Sequence, residues 1–326
     1  MSDIPKFVEF REEGPREGFQ AEKRIYSTEE KVSLIDALSE TGLGRIQIGS
    51  FVSAQRVPNM ANTAEVARSI RRHPGIRYTA LWLNKKGFED AAATKGVDLS
   101  GMMALYTTDA FCKRNNNCTV DEMRQRQFEW LEVYDAHDLP FEVAAIITAF
   151  GCNFAGEVPL ERVLASVRFV ADICRAQHRP LPIIYLADTV GWANPEEIKR
   201  RVGAVRELVP QARIGLHLHD TRGVGPANFY AALQMGVDCF DSSVAGLGGC
   251  PFAAHANLNA AGNICTEDMV FMCHELGIET GLDLEKLIDA ANLAERIVGR
   301  TLNGHLMHSG SLRSFRCRDD AGLAVF

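Results

Sequence analysis

Short apolar runs with strand spacing alternate with longer runs of helical spacing along most of the chain. Phe7–Glu13 reads as a strand, and Thr28–Gly42 reads as a helix with Leu34, Ile35 and Leu38 on one face and Gly42 as its stop. The alternation repeats. Strands are expected at Arg45–Phe51, Arg77–Leu83, Met102–Thr107, Phe141–Phe150, Ile183–Thr189, Ile214–Asp220 and Cys239–Val244. Helical runs follow at Asn62–Arg72, Lys85–Lys95, Val120–His137, Leu160–Gln177, Pro195–Leu208 and Pro226–Met235. Phe141–Phe150 is apolar on both faces, as a buried parallel strand requires. Eight strands alternating with helices predict an α/β fold, a (β/α)8 TIM barrel. A doubly wound sheet is the runner-up, but the turn after the first strand reads GPREGFQ, which lacks the GxGxxG phosphate loop. The expected division is a catalytic barrel over residues 1–282 and a C-terminal helical extension over 283–326.

In a barrel the chemistry sits where strands end at their C-terminal side. Strand 1 ends in Arg16 and Glu17, strand 2 carries Gln47, strand 6 ends in Asp188, strand 7 in His217, His219 and Asp220, and strand 8 in Ser242 and Ser243. Side chains on a strand repeat every two residues, so His217 and His219 share a face and converge on one point. Two imidazoles with a carboxylate from Glu17 or Asp188 suit a divalent metal. Mixed oxygen and imidazole donors favour Mg²⁺ or Mn²⁺ over structural zinc, which prefers thiolates. Asp188 also reads as a turn or helix-capping aspartate. Gly246, Gly248 and Gly249 precede Cys250, so that segment reads either as a glycine-rich turn with an incidental thiol or as a lid delivering Cys250 as acid or base. Lys113 and Arg114 are placed in a loop as a solvated pair.

Composition narrows the class. Of 326 residues 46% are hydrophobic and 24% charged, an ordinary globular balance. The net charge of −7 argues against a nucleic-acid surface. No apolar run approaches the roughly 20 residues that span a bilayer, and residues 1–14 do not read as a secretory signal. Nine cysteines without a CxxC pair suggest reduced, mostly buried thiols and a cytoplasmic location.

The stretches GPREGFQAEK (14–23), ADTVGWANP (187–195) and HLHDTRGVGPANFYAALQMGVDCFDSSVAGLGGCPFA (217–253) together resemble the 3-hydroxy-3-methylglutaryl-CoA lyase family, within the metal-dependent barrel lyases and Claisen-type synthases. The likeness runs from about residue 7 to residue 310. It implies a metal-dependent carbon–carbon lyase that performs retro-Claisen cleavage of a 3-hydroxyacyl-CoA. Arg16 would oppose the enolate charge, and Glu17, His217, His219 and Asn263 would hold the metal. Cys250 would move a proton, Asp188 would be a catalytic position, and Gln20, Lys23 and Gln47 would meet substrate. The implied partner is a small acyl-CoA, with no nucleic acid and no membrane, and the implied assembly is a homodimer or higher homo-oligomer.

Three departures stand out. Glu17 replaces the family's aspartate, Gln47 replaces its strand-2 glutamate, and the segment from Cys250 to Asn263 is several residues longer. A misplacement of about 1 Å can cost about 100-fold in rate. A related aldolase or acyltransferase on another substrate, or a non-catalytic metal-binding paralogue, therefore stay open as alternatives.

Overall fold

The computed structural model describes residues 4–248 and 262–316. Its eight strands are β1 (Glu9–Glu12), β2 (Arg45–Phe51), β3 (Arg77–Trp82), β4 (Gly101–Tyr106), β5 (Phe141–Ile147), β6 (Ile183–Ala187), β7 (Ile214–His217) and β8 (Cys239–Ser242). They form one sheet in the order β3-β2-β1-β8-β7-β6-β5-β4, and every ladder is parallel. The pairing of β1 with β8 brings the first and last strands together, as barrel closure requires and a doubly wound sheet does not. Among the described residues no ladder joins β3 to β4. Asp98, just before β4, spans that seam by donating its N–H to the Tyr78 carbonyl (2.8 Å) and accepting the Tyr78 N–H on its carboxylate (2.7 Å).

Helix starts follow local chemistry. Ser27 and Glu30 form a capping box before Thr28–Ser39, and Thr119 and Glu122 form another before Val120–Ala136. Asn194 accepts the Glu197 N–H, with Pro195 in the first turn of Pro195–Leu208. Asp109–Asn116 is a further helix, so Lys113 and Arg114 lie on a helix rather than in the expected loop. Its CKRNN stretch is polar and carries little helical periodicity, but Phe111 and Cys112 bury one side. Towards the C-terminus, Leu284–Val298 packs its buried face, including Leu287, Ala291 and Ala294, against the region of Thr28–Ser39. The seven described cysteines are free and buried, as the sequence suggests. Among the described residues no helix is long and apolar enough to cross a membrane.

Several strands stop earlier than the apolar pattern predicts. β5 ends at Ile147 because Thr148 takes φ +57°, and β6 ends at Ala187 rather than Thr189. β7 ends at His217, after which His219 bridges to Asn263 instead of continuing the ladder. The residues that leave the ladder are the ones at the barrel mouth.

Alternation on β1 sorts its side chains. Phe10 packs outward on Phe229 and Phe240, with ring centroids 5.9 and 6.3 Å away, while Arg11 and Glu13 line the interior cavity. Inside, the Tyr185 ring lies against Gly215, its hydroxyl 2.9 Å from the Cys239 sulfur. The Arg11 guanidinium stands 5.5 Å from the Tyr185 ring centroid. A Cβ on Gly215 would sit 2.7 Å from the Tyr185 ring, so this ring position requires glycine opposite. Gly215→Ala is therefore expected to destabilise the protein by about 1–3 kcal/mol in denaturant unfolding. Shortening Tyr185 to Leu in the same chain should reduce that increment. An unchanged midpoint for Gly215→Ala would mean the ring does not fill this space.

Candidate metal centre at the barrel mouth

The site begins with one buried carboxylate. Glu12, the last residue of β1, accepts the N–H of Gly14 (2.7 Å), the N–H of Val244 (2.9 Å) and the Thr266 hydroxyl (2.6 Å). Burial pushes its carboxyl up to about 7 against those three donors. These bonds tie the end of β1 to the segment after β8 and to the helix Thr266–Glu275. The chain then turns through a wide helical turn, Gly14–Gly18. Side chains do not fit at its two ends, because a Cβ on Gly14 would lie 2.6 Å from Glu12 and one on Gly18 2.7 Å from Leu247. That turn presents Arg16 and Glu17 to a cavity of about 220 Å³.

Glu17 meets both histidines there. Its oxygens lie 3.8 Å from His217 Nε2 and 3.7 Å from His219 Nε2, and the two Nε2 atoms are 3.0 Å apart. Nδ1 of His217 faces the Asp241 carboxylate at 3.2 Å, which fixes Nδ1 as the donor and leaves Nε2 with its lone pair. Two such nitrogens 3.0 Å apart need a proton or a cation between them. Asn263 donates its Nδ2 to Glu17 (3.1 Å), and its Oδ1 is buried without a hydrogen-bond partner. That orphaned acceptor, a carboxylate and two imidazole nitrogens form a donor set that fits a divalent cation.

The electrostatics agree. Burial alone would raise the Glu17 carboxyl, but Arg16, His217 and His219, with the Asn263 amide, hold it down at about 2. Burial would lower the His217 imidazole, but Glu17, Asp241 and Glu13 hold it up at about 9, so a cation binding at Nε2 would take the place of a proton there. A site with this much negative potential draws positive charge.

Arg16 is held from three sides. Its NH2 lies 2.8 Å from Glu13 and 3.4 Å from Glu17, and its Nε donates to the Gln47 side-chain oxygen. A carboxyl group absent at Gln47 is thus present nearby at Glu13. Burial pushes Glu13 up, and Asp241 and Glu17 push the same way, against the pull of Arg16.

Arg16, Glu17, Gln47, His217 and His219 line one cavity, and Asn263 contacts Glu17 beside it. Other expected residues lie elsewhere. Asp188 is not among the cavity-lining residues, because its β6 neighbours Ala187 and Thr189 take the inward positions. Its Oδ1 accepts the N–H groups of Trp192 (2.7 Å) and Ala193 (3.1 Å), which organises the turn after β6, while its Oδ2 is buried without a hydrogen-bond partner. Burial raises its carboxyl to about 6. Ser242 and Ser243 also turn away from the cavity, and Ser242 shares a hydrogen bond of 2.8 Å with Thr266. Gln20 is half-buried and Lys23 exposed, both outside the cavity lining. Cys250 lies outside the described residues.

Four charged lining residues went unread in the sequence: Arg11, Glu13, Arg45 and Asp241. A strand reading FREE carried a signal, since charges at positions 11 and 13 share a face. Asp241 pairs in register with His217 across β7 and β8, which only the topology reveals.

Residues 8–294 match the HMGL-like family. The chain is 40% identical to the human mitochondrial hydroxymethylglutaryl-CoA lyase over 301 residues, 92% of this chain and 88% of that protein. It is 37% identical to the mouse cytoplasmic 3-hydroxy-3-methylglutaryl-CoA lyase over 304 residues, 93% of this chain and 84% of that one. The hydroxymethylglutaryl-CoA lyase of Pseudomonas aeruginosa superposes with a TM-score of 0.85 at 36% identity, covering 94% of this chain and 98% of that chain. An HMG-CoA lyase from Acenitobacter baumannii, solved with coenzyme A and 3-methylmalate, also gives 0.85, at 34% identity over 94% of this chain and 96% of that chain. A parallel eight-stranded barrel with a Glu–His–His cluster at its mouth thus belongs to the HMGL-like family.

Proposed function

We propose that this chain is a metal-dependent carbon–carbon lyase that cleaves a 3-hydroxy-3-methylglutaryl-CoA-like thioester to acetyl-CoA and a keto acid. The observation that carries the reading is the meeting of Glu17, His217 and His219 with Arg16 in one cavity. Family membership and the lyases among the relatives support it.

Glu17, His217, His219 and the free Oδ1 of Asn263 would hold the cation, with Mg²⁺ or Mn²⁺ suited to this donor set. When bound, such an ion would supply Lewis acidity that eases transfer of the substrate hydroxyl proton to a general base. The C2–C3 bond then breaks, and its electron pair moves onto the thioester as an enolate. Arg16 lies next to Glu17 and offers its guanidinium to that oxygen. Glu13 and Gln47 hold Arg16 in place, so its orientation costs little at the moment of reaction. The enolate carbon needs a proton to become acetyl-CoA, and the family resemblance implies that Cys250 delivers it. An acyl-CoA is the partner that fits this chemistry, and the coenzyme A complex of a relative supports it.

Two outcomes are expected. Asp241→Asn should weaken Mn²⁺ binding about 10- to 100-fold in a titration of chelator-treated protein, because the His217 ring loses the carboxylate that orients it. Unchanged affinity would remove Asp241 from the metal centre. Arg16→Gln should lower kcat about 100- to 1,000-fold in an acetyl-CoA release assay while the protein still takes up its metal. A near-normal kcat would take Arg16 out of enolate stabilisation.

A further inference from the structure

The segment 112–118, beside the cavity, carries two thiols in contact. Cys112 and Cys118 are both buried, and their sulfurs lie 3.7 Å apart. Other buried sulfurs face different groups. Cys152 accepts the Thr108 hydroxyl and the Phe154 N–H, each at 3.4 Å, and Cys239 meets the Tyr185 hydroxyl. Cys112 belongs to the helix Asp109–Asn116, and Cys118 follows its end. Asn117 between them takes φ +52° and donates its N–H to the Lys113 carbonyl (2.9 Å), so the chain reverses tightly and returns one sulfur to the other. The Cys112 thiol also donates to the Thr119 carbonyl at 3.5 Å.

The same helix forms part of the cavity wall. Phe111 and Asn115 line the cavity together with Tyr106 of β4. The Asn115 and Asn116 amides both donate to the Tyr106 hydroxyl, at 2.8 and 2.6 Å, and the Tyr106 and Phe111 rings stack with centroids 6.1 Å apart. Both asparagines lie within the span that the two sulfurs bracket. We infer that Cys112 and Cys118 form an oxidation site, at which a disulfide closes this span and shifts Asn115 and Phe111 in the cavity wall. Hydrogen peroxide is the oxidant small enough to reach buried sulfur. One thiol attacks a peroxide oxygen, giving a sulfenic acid and water. The second sulfur then displaces the sulfenic hydroxyl as water, so two thiols and one peroxide yield one disulfide and two waters. Burial, with Cys118 facing it, pushes the Cys112 thiol up to about 12. Thiolate is the reactive form, so oxidation of the pair quickens as pH rises. The disulfide itself needs no assumption about the reaction, whereas its effect on turnover rests on the lyase reading.

The test treats metal-loaded protein with hydrogen peroxide and then with dithiothreitol. Trypsin cuts after Lys113 and Arg114, so the disulfide joins two peptides that otherwise separate. Joined peptides should appear in the mass spectrum after peroxide and part after dithiothreitol. Turnover of 3-hydroxy-3-methylglutaryl-CoA should fall about 10- to 100-fold as the peptides join, and it should recover on reduction. Cys112→Ala and Cys118→Ala should each turn over like the reduced wild type, which also reports an intact fold, and should keep that rate at the same peroxide dose. The inference fails if the peptides stay separate, or if they join with turnover unchanged. It fails too if both variants lose turnover as the wild type does, since the loss then belongs to another thiol. Absent turnover in the reduced wild type rejects the lyase reading alone. Hydrogen exchange of the Asp109–Asn116 amides then decides the site: it should change when the peptides join, and unchanged exchange overturns the inference.

Discussion

Glu17 is a buried carboxylate, and its charge has to be balanced by what surrounds it. Arg16, His217, His219 and the Asn263 amide do this together and hold it ionised against the cost of burial. They come from the turn after β1, from the end of β7 and from the segment after β8. Closing the barrel through the β1–β8 pairing is what brings them to one point. The charge balance and the fold are thus the same constraint seen at two scales.

Around that point the structure uses further buried carboxylates as braces. Glu12 ties the end of β1 to Val244 and Thr266, and Glu267 accepts the Ala245 N–H at about 3.0 Å, with burial pushing its carboxyl up to about 8. Ala245 takes φ +56°, a conformation that L side chains seldom adopt, so the backbone there needs such support. These contacts set the root of the glycine-rich segment beside the metal centre.

Much of the fold was legible because β/α alternation is written in apolar spacing. The pair His217 and His219 was legible for the same reason, since a two-residue repeat fixes a shared face. Strand ends were less legible. Apolar spacing runs on past Ile147 and Ala187, but the left-handed Thr148 and the turn held by Asp188 stop the ladder. The change at Gln47 looked like lost charge when read as one position. Its compensation by Glu13 depends on two strands meeting at Arg16. Asp241 was hidden likewise, since its role follows from its register partner His217 on the neighbouring strand.

The central claim is that cleavage requires a cation on Glu17, His217, His219 and Asn263. It is tested most directly by following acetyl-CoA release from 3-hydroxy-3-methylglutaryl-CoA while Mn²⁺ is titrated into chelator-stripped protein. Release should be absent at the start and should rise to a plateau at one ion per chain. Full release from the stripped protein, before any Mn²⁺ is added, would contradict the account.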